Sequence, residues 1–368
     1  MSRKVIALIS VLKPVDDSRN YHKIGVSLAQ TNKYDLNIIG FASKKIPVTD
    51  FIELHPMFHF KRLSPMRILA PWRIFFLLIR LKPDLIICTT HELLFATVLY
   101  KMLWPCRIIY DVQENYTYNI LYSGNYPRLL RRSLAWVVET TERTCSRYID
   151  LFILAEHSYA LELPFENTII VENKTALPLR DPDTRVPRES LRFIFAGTIA
   201  ENYGIFDAIK FVNRLHYMAS DVSLVIAGFS PKQEVLNRVR KEISGLPYIE
   251  LVADKWPLKH GFITGLMASA DFALLPYHLD RSLIHCIPTK MYECIALGLP
   301  MLVRPNPYWL ALCDSYDSAL YTDFEYPEPG LLDDLKHKVF YMRGHRADVR
   351  WESEKRKLMD AVAQLTDK

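Results

Sequence analysis

Cysteine is scarce and unpaired in this chain. Its six residues, at 88, 106, 145, 286, 294 and 313, form no C-x-x-C pair, and no histidine cluster accompanies them at metal-ligand spacing. That excludes a disulfide framework and a zinc ribbon, and it fits reduced thiols in the cytoplasm. Long apolar runs are missing as well. The longest, Ile68 to Arg80, is broken by Pro71 and Arg73, well short of the roughly 20 residues that a membrane span needs. Met1 to Ser10 reads as a strand behind a short basic start, without the apolar stretch and cleavage site of a secretory leader, so the expected location is cytoplasmic. No G-x-G-x-x-G follows that strand, which removes the usual phosphate loop of nicotinamide enzymes. Dense basic runs are absent beyond Arg128, Arg131 and Arg132, and with them the footprint of a nucleic-acid binder.

What is present is a chain of 368 residues, 50% hydrophobic and 24% charged, long enough for two domains with separate cores. The net charge of +5 is uneven: residues 1–185 hold 24 Lys and Arg against 18 Asp and Glu, and the remainder holds 22 against 23. An excess of this size in one half fits an anionic membrane surface better than nucleic acid. Two readings fit the run Ile68 to Arg80. It is either a basic amphipathic helix lying on a membrane through Trp72, Phe75 and Phe76, or a core helix whose arginines reach out to water.

Strand and helix patterns alternate through both halves. The first half shows β-rich runs at 5–10, 36–40, 84–88, 107–111, 151–155 and 168–171, with helices expected at about 21–30 and 93–103. The second shows runs at 191–196, 223–228, 248–252, 272–275 and 300–303, with a helix at about 206–219. The expected fold class is therefore α/β, with two doubly wound Rossmann-like domains at 1–180 and 188–345 and a final helix at 346–368. Residues 178–187 are polar and proline-rich, as a linker would be. Asp181 and Asp183 match a D-x-D metal pattern, but Pro182 inside a linker makes the match accidental, and no metal is expected.

One helix carries the chemistry. Pro288 suits its start and Gly298 with Pro300 its stop, and between them Met291, Cys294, Ile295 and Leu297 cover much of its circumference. Lys290 and Glu293, three residues apart, interrupt this apolar surface near the end where free backbone N–H groups favour anions. A phosphate beside Lys290 and a pair of hydroxyls on Glu293 would satisfy both; an i, i+3 ion pair on a half-exposed helix is the plainer alternative. The stretch 288–300 resembles the donor-binding helix of the retaining family-four glycosyltransferases, which have the B-type fold of two Rossmann-like domains. The resemblance, in pattern and order, runs from Asp16, Asp17, Ser18 and Arg19 to Trp351.

The resemblance implies a nucleotide-sugar donor, a final helix packed back on the first domain, and transfer without a metal or an enzyme nucleophile. It assigns the donor to Gly197, Thr198, Asn202, Tyr203, Gly204, Ser282, Pro288, Thr289, Lys290 and Glu293. It gives His91, Glu92, Glu114 and His285 the sugar and acceptor. Three positions depart from the family pattern: Thr198 and Tyr203 replace an Arg and a Lys of the glycine turn, and His285 replaces a Glu that contacts the transferred sugar. His285 also reads as an ordinary loop histidine, and Asp111 and Glu114 as caps of the next helix. Asn173 resembles the Asn that closes the first domain. The implied function is retaining transfer to an acceptor hydroxyl, in cell-surface polysaccharide or glycolipid assembly, on a glycan or polyprenyl-linked acceptor with peripheral membrane contact through the first domain. A sugar-nucleotide epimerase on the same fold and a non-catalytic partner subunit are the alternatives.

Overall fold

The computed structural model describes all residues except 1–2, 44–50, 61–63, 123–125, 185, 255, 257, 282, 327 and 368. The chain forms two compact units, Met1–Ala176 with Trp351–Lys368, and Leu177–Arg350. The first holds a seven-stranded sheet of β1 (Lys4–Pro14), β2 (Tyr34–Phe41), β3 (Ile52–Phe58), β4 (Leu85–Cys88), β5 (Arg107–Val112), β6 (Leu151–Leu154) and β7 (Thr168–Ile170). Their spatial order is 3-2-1-4-5-6-7 and every pairing is parallel. The second unit repeats the plan with β8 (Leu191–Thr198), β9 (Val222–Phe229), β10 (Ile249–Asp254), β11 (Phe272–Leu275), β12 (Met301–Val303) and β13 (Ala319–Tyr321), in the order 10-9-8-11-12-13. Helices cover both faces of such sheets, so the central strands bury both sides and read as unbroken apolar runs.

Two elements start elsewhere than the sequence pattern suggests. The first helix begins at Ser18 rather than near Tyr21, because the Asp17 carboxylate accepts from the N–H groups of Arg19 and Asn20 at 2.9 and 3.0 Å. It winds as a π-helix to Gly25, and Arg19 turns inward to a buried bidentate pair with Asp111, at 2.9 and 2.7 Å. The crossings between units fall at 176/177 and 350/351, outside the proline-rich stretch. That stretch lies along the second unit, where the Arg180 N–H bonds the Ala296 carbonyl and Arg188 donates to the carbonyls of Leu335 and Lys338. Residues 346–349 also stay with the second unit, since Arg346 donates to the Arg180 carbonyl at 2.7 Å. The helix Trp351–Thr366 packs into the first unit: Trp351, Leu358 and Val362 join Ile6, Leu8 and Leu36 in its core. Trp351 Nε1 donates to Ser27 Oγ at 2.8 Å.

Candidate functional site

In the second sheet β8 and β11 are neighbours, yet β9 lies on the far side of one and β12 on the far side of the other. The segments leaving their carboxyl ends therefore diverge and open a crevice, the usual place for a ligand in such a sheet. The turn from Gly197 to Gly204 leaves β8 there and meets the segment after β11. The His278 N–H bonds the Asn202 carbonyl at 2.9 Å, and the Tyr203 and Tyr277 rings pack 4.9 Å apart. Gly204, at φ +74°, sits so close to the Pro276 carbonyl that a Cβ would overlap it. Gly197, at φ +120°, leaves room for the stem of Lys290, whose Cε would lie 3.3 Å from a Cβ at that position. Both glycines therefore serve close approach as well as conformation.

Lys290 and Glu293 stand on the helix Thr289–Leu297, capped by extended Pro288 and closed by left-handed Gly298, where the Leu299 N–H returns to the Cys294 carbonyl at 2.9 Å. Met291, Tyr292, Cys294, Ile295 and Ala296 are buried around them. Lys290 Nζ bonds Glu293 Oε2 at 2.5 Å, and His260 Nε2, on the first residue of the helix His260–Met267, lies 2.8 Å from Oε1. The i, i+3 ion pair thus forms around a buried carboxylate, Glu293 being only 6% exposed, while Lys290 is half-buried and His260 reaches it from the surface. Burial alone would raise the Glu293 pKa; the charge of Lys290 and the bond from His260 overcome it and hold the carboxyl at about 2. The cluster can present a carboxylate to paired hydroxyls and an ammonium, beside a helix N-terminus and a glycine turn, to an anion.

Charges that the sequence did not single out also gather here. Asp207, in the first turn of the helix Ile205–Met218, accepts from Arg304 at 2.6 Å and lies 2.8 Å from His278 Nε2. Thr198 closes β8 opposite Phe229. His285 packs edge-on against Tyr308 at 5.2 Å, in a loop tied down by Trp309 and Asn306, which donate to the carbonyls of Cys286 and Ile284. Ser282 lies outside the described residues.

In the first unit, His91 and Glu92 occupy a short 3₁₀ turn at the carboxyl end of β4. Arg67 forms an ion pair with Glu92, His91 Nε2 lies 3.6 Å from the same carboxylate oxygen, and the His91 ring packs against Tyr116 at 4.8 Å. Burial is the main cause that pushes the His91 pKa down. Its Nδ1 and the second Glu92 oxygen are buried without a hydrogen-bond partner among the described residues, a costly arrangement unless the turn serves a ligand. Glu114 is bonded to Lys13 at 3.2 Å and Asn119 at 2.7 Å. Neither it nor Asp111 caps the helix Tyr116–Tyr122. Asn115 does, accepting from the Tyr118 N–H at 3.1 Å, while Asp111 is consumed by Arg19 and Gln113. Asn173 accepts from buried Lys23 at 2.6 Å.

A cavity of about 420 Å³ in the second unit, lined by Arg180, Asp181, Asp183, Arg188 and Asp271, opens at the amino ends of the strands. It places the D-x-D residues among arginines and away from the crevice.

No protein-family model matches the chain, and no curated protein matches its sequence. Solved structures do. The chain is similar to sucrose-phosphate synthase from Thermosynechococcus elongatus, at 14% identity and a TM-score of 0.73 over 99% of each chain. It is similar to Anabaena HepE in complex with UDP-glucose, at 11% identity and 0.62, over 99% of this chain and 100% of that one. It is also similar to a UDP-N-acetylglucosamine 2-epimerase, at 14% and 0.57, over 98% of this chain and 95% of that one. The fold is the two-Rossmann B-type fold of glycosyltransferases.

Proposed function

We propose that the protein transfers a sugar, with retention and without a metal ion, from a nucleoside diphosphate donor to an acceptor hydroxyl. The observation that carries this reading is the cluster of Lys290 and His260 around buried Glu293 at the crevice of β8 and β11, on a fold whose HepE example was solved with UDP-glucose. In this reading Glu293 accepts from the two ribose hydroxyls. Lys290, the helix end at Pro288 and Thr289, and the turn holding Thr198, Asn202 and Tyr203 face the diphosphate. The leaving diphosphate gains negative charge as the sugar departs, and donors fixed in advance stabilise that charge by about 2–4 kcal/mol each. Lys290 carries most of this task, since Thr198 and Tyr203 bring no charge and the Lys290 stem lies against the glycine turn, with Cε 3.3 Å from where a Cβ at Gly197 would stand. His91, Glu92, Glu114 and His285 are the candidates for orienting sugar and acceptor. The acceptor is a cell-surface glycan or a polyprenyl-linked glycan reached from the cytoplasmic side of a membrane.

A thermal-shift screen of UDP-, GDP-, ADP- and dTDP-sugars identifies the donor, because binding raises stability with the logarithm of ligand excess. With that donor, Glu293→Ala is expected to weaken binding by about 10- to 100-fold, the loss of hydrogen bonds to a charged group. Unchanged affinity would remove Glu293 from the ribose. The epimerase reading is favoured by one observation, the likeness to the 2-epimerase. Incubation with the donor alone separates the two, since only an epimerase changes the sugar without an acceptor. A subunit without catalytic activity would bind no donor productively and turn over none.

A further inference from the structure

The helices Ala70–Leu81, Leu94–Leu103 and Arg131–Ser146 pack in sequence on one face of the first sheet, opposite the side that takes Trp351–Thr366. Their inner sides are ordinary: Ile74, Leu78, Leu94 and Val138 are buried. Their outer sides are not. A surface helix normally turns charged residues outward, as Trp351–Thr366 does with exposed Glu352, Arg356, Lys357 and Asp360. Here the outward residues include Trp72, Phe76, Phe95, Met102 and Trp136, between 50% and 67% exposed. Apolar surface shared by three adjacent helices is more than the scattered apolar exposure of a monomer.

The charge on this surface is mostly of one sign. Residues 65–82, 93–103 and 128–146 contain nine Lys and Arg against two acids, Glu139 and Glu142, and Glu142 is buried, accepting from the Tyr110 hydroxyl. Arg67 and Lys101 turn in to Glu92 and Asp150, while Arg73, Arg80, Arg128 and Arg132 are exposed. Exposed indole and phenyl rings beside cations are what a bilayer interface with anionic headgroups accommodates: the rings enter the headgroup region and the cations meet lipid phosphates. A second copy fits poorly, since a two-fold interface would set these cations against each other with exposed Glu139 as their single carboxylate.

We infer that this three-helix face docks the protein flat on an anionic membrane. The inference deepens the membrane-borne acceptor proposed above, but it uses no residue of the donor cluster. The test is flotation of the full chain with vesicles of phosphatidylcholine alone or mixed with phosphatidylglycerol, at low and high salt. The wild type is expected to float with the mixed vesicles, less at high salt. Trp72→Ser with Trp136→Ser is expected to reduce partitioning at least about tenfold, and Arg73→Glu with Arg132→Glu to abolish the preference for anionic lipid, each cation counting about fivefold. Donor-induced thermal shift, measured without vesicles, should survive in both variants and certifies their folding. A wild type that never floats, or variants that float as it does, would overturn the inference. So would a wild-type dimer that the tryptophan variant converts to monomer without any vesicle binding. Retained donor shift in each of these cases leaves the transferase reading standing.

Discussion

Glu293 shows how one residue's surroundings set its chemistry. A carboxyl 6% exposed would ordinarily take up a proton more easily, and the paired cation at 2.5 Å and imidazole at 2.8 Å reverse this. Because its folded pKa lies below the ordinary 4.5, at about 2, its ionisation stabilises the fold fully above about 4.5, and that contribution is lost as pH falls toward about 2. The expected result is a melting-temperature gap between wild type and Glu293→Gln that is constant near neutrality and closes across that interval, read from melts at stepped pH. A gap independent of pH would mean that the ionised cluster does not form in solution. Lys290 and Glu293 were legible from sequence because a helix places neighbours three apart on one side. His260 was not, since it lies 33 positions upstream and only packing of two helices brings it in. Arg67 beside Glu92, and Arg304 beside Asp207, escaped for the same reason.

At the scale of elements, legibility followed burial. The central strands were plain as apolar runs, whereas β3 and β13, at the sheet edges, were missed. In β3 His55, Pro56 and Met57 are only partly buried, and β13 has three residues; a proline is tolerated where one side of a strand needs no ladder. The glycine turn was legible for its composition, but not for its contact with Pro276. That contact sets the next prediction. Gly204→Ala should cost at least about 2 kcal/mol, combining left-handed strain of about 1–2 kcal/mol with the overlap on the Pro276 carbonyl. Gly261→Ala, in a helix with open space around it, should be neutral or stabilising by up to about 1 kcal/mol. Urea denaturation of the two variants makes the comparison, and equal costs would show that the turn is not held against β11 as described.

For the whole molecule, the chain leaves the first unit at Ala176 and returns to it only at Trp351, so the first core is complete only when the last helix arrives. Trp351, 4% exposed, fills that core beside Leu358 and Val362 and donates to Ser27. Lys174 and the Glu172 N–H secure the same helix through Glu354; burial would raise the Glu354 pKa, but Lys174 and its helix neighbour Lys357 pull it down. The cores of the second unit are built from its own residues. Two cores on one chain predict two heat-absorbing transitions, which respond to different perturbations. Trp351→Ala, a large-to-small change in a packed core, should destabilise the first unit by about 3–5 kcal/mol and lower its transition while leaving the other in place. The nucleotide-sugar donor, whose nucleotide is assigned to the second unit, should raise the second transition more than the first. Differential scanning calorimetry of wild type and Trp351→Ala, each with and without donor, gives four traces that test both statements. A single transition displaced by either change would mean that the units unfold together, and the last helix would then stabilise the molecule as a whole rather than its first core alone.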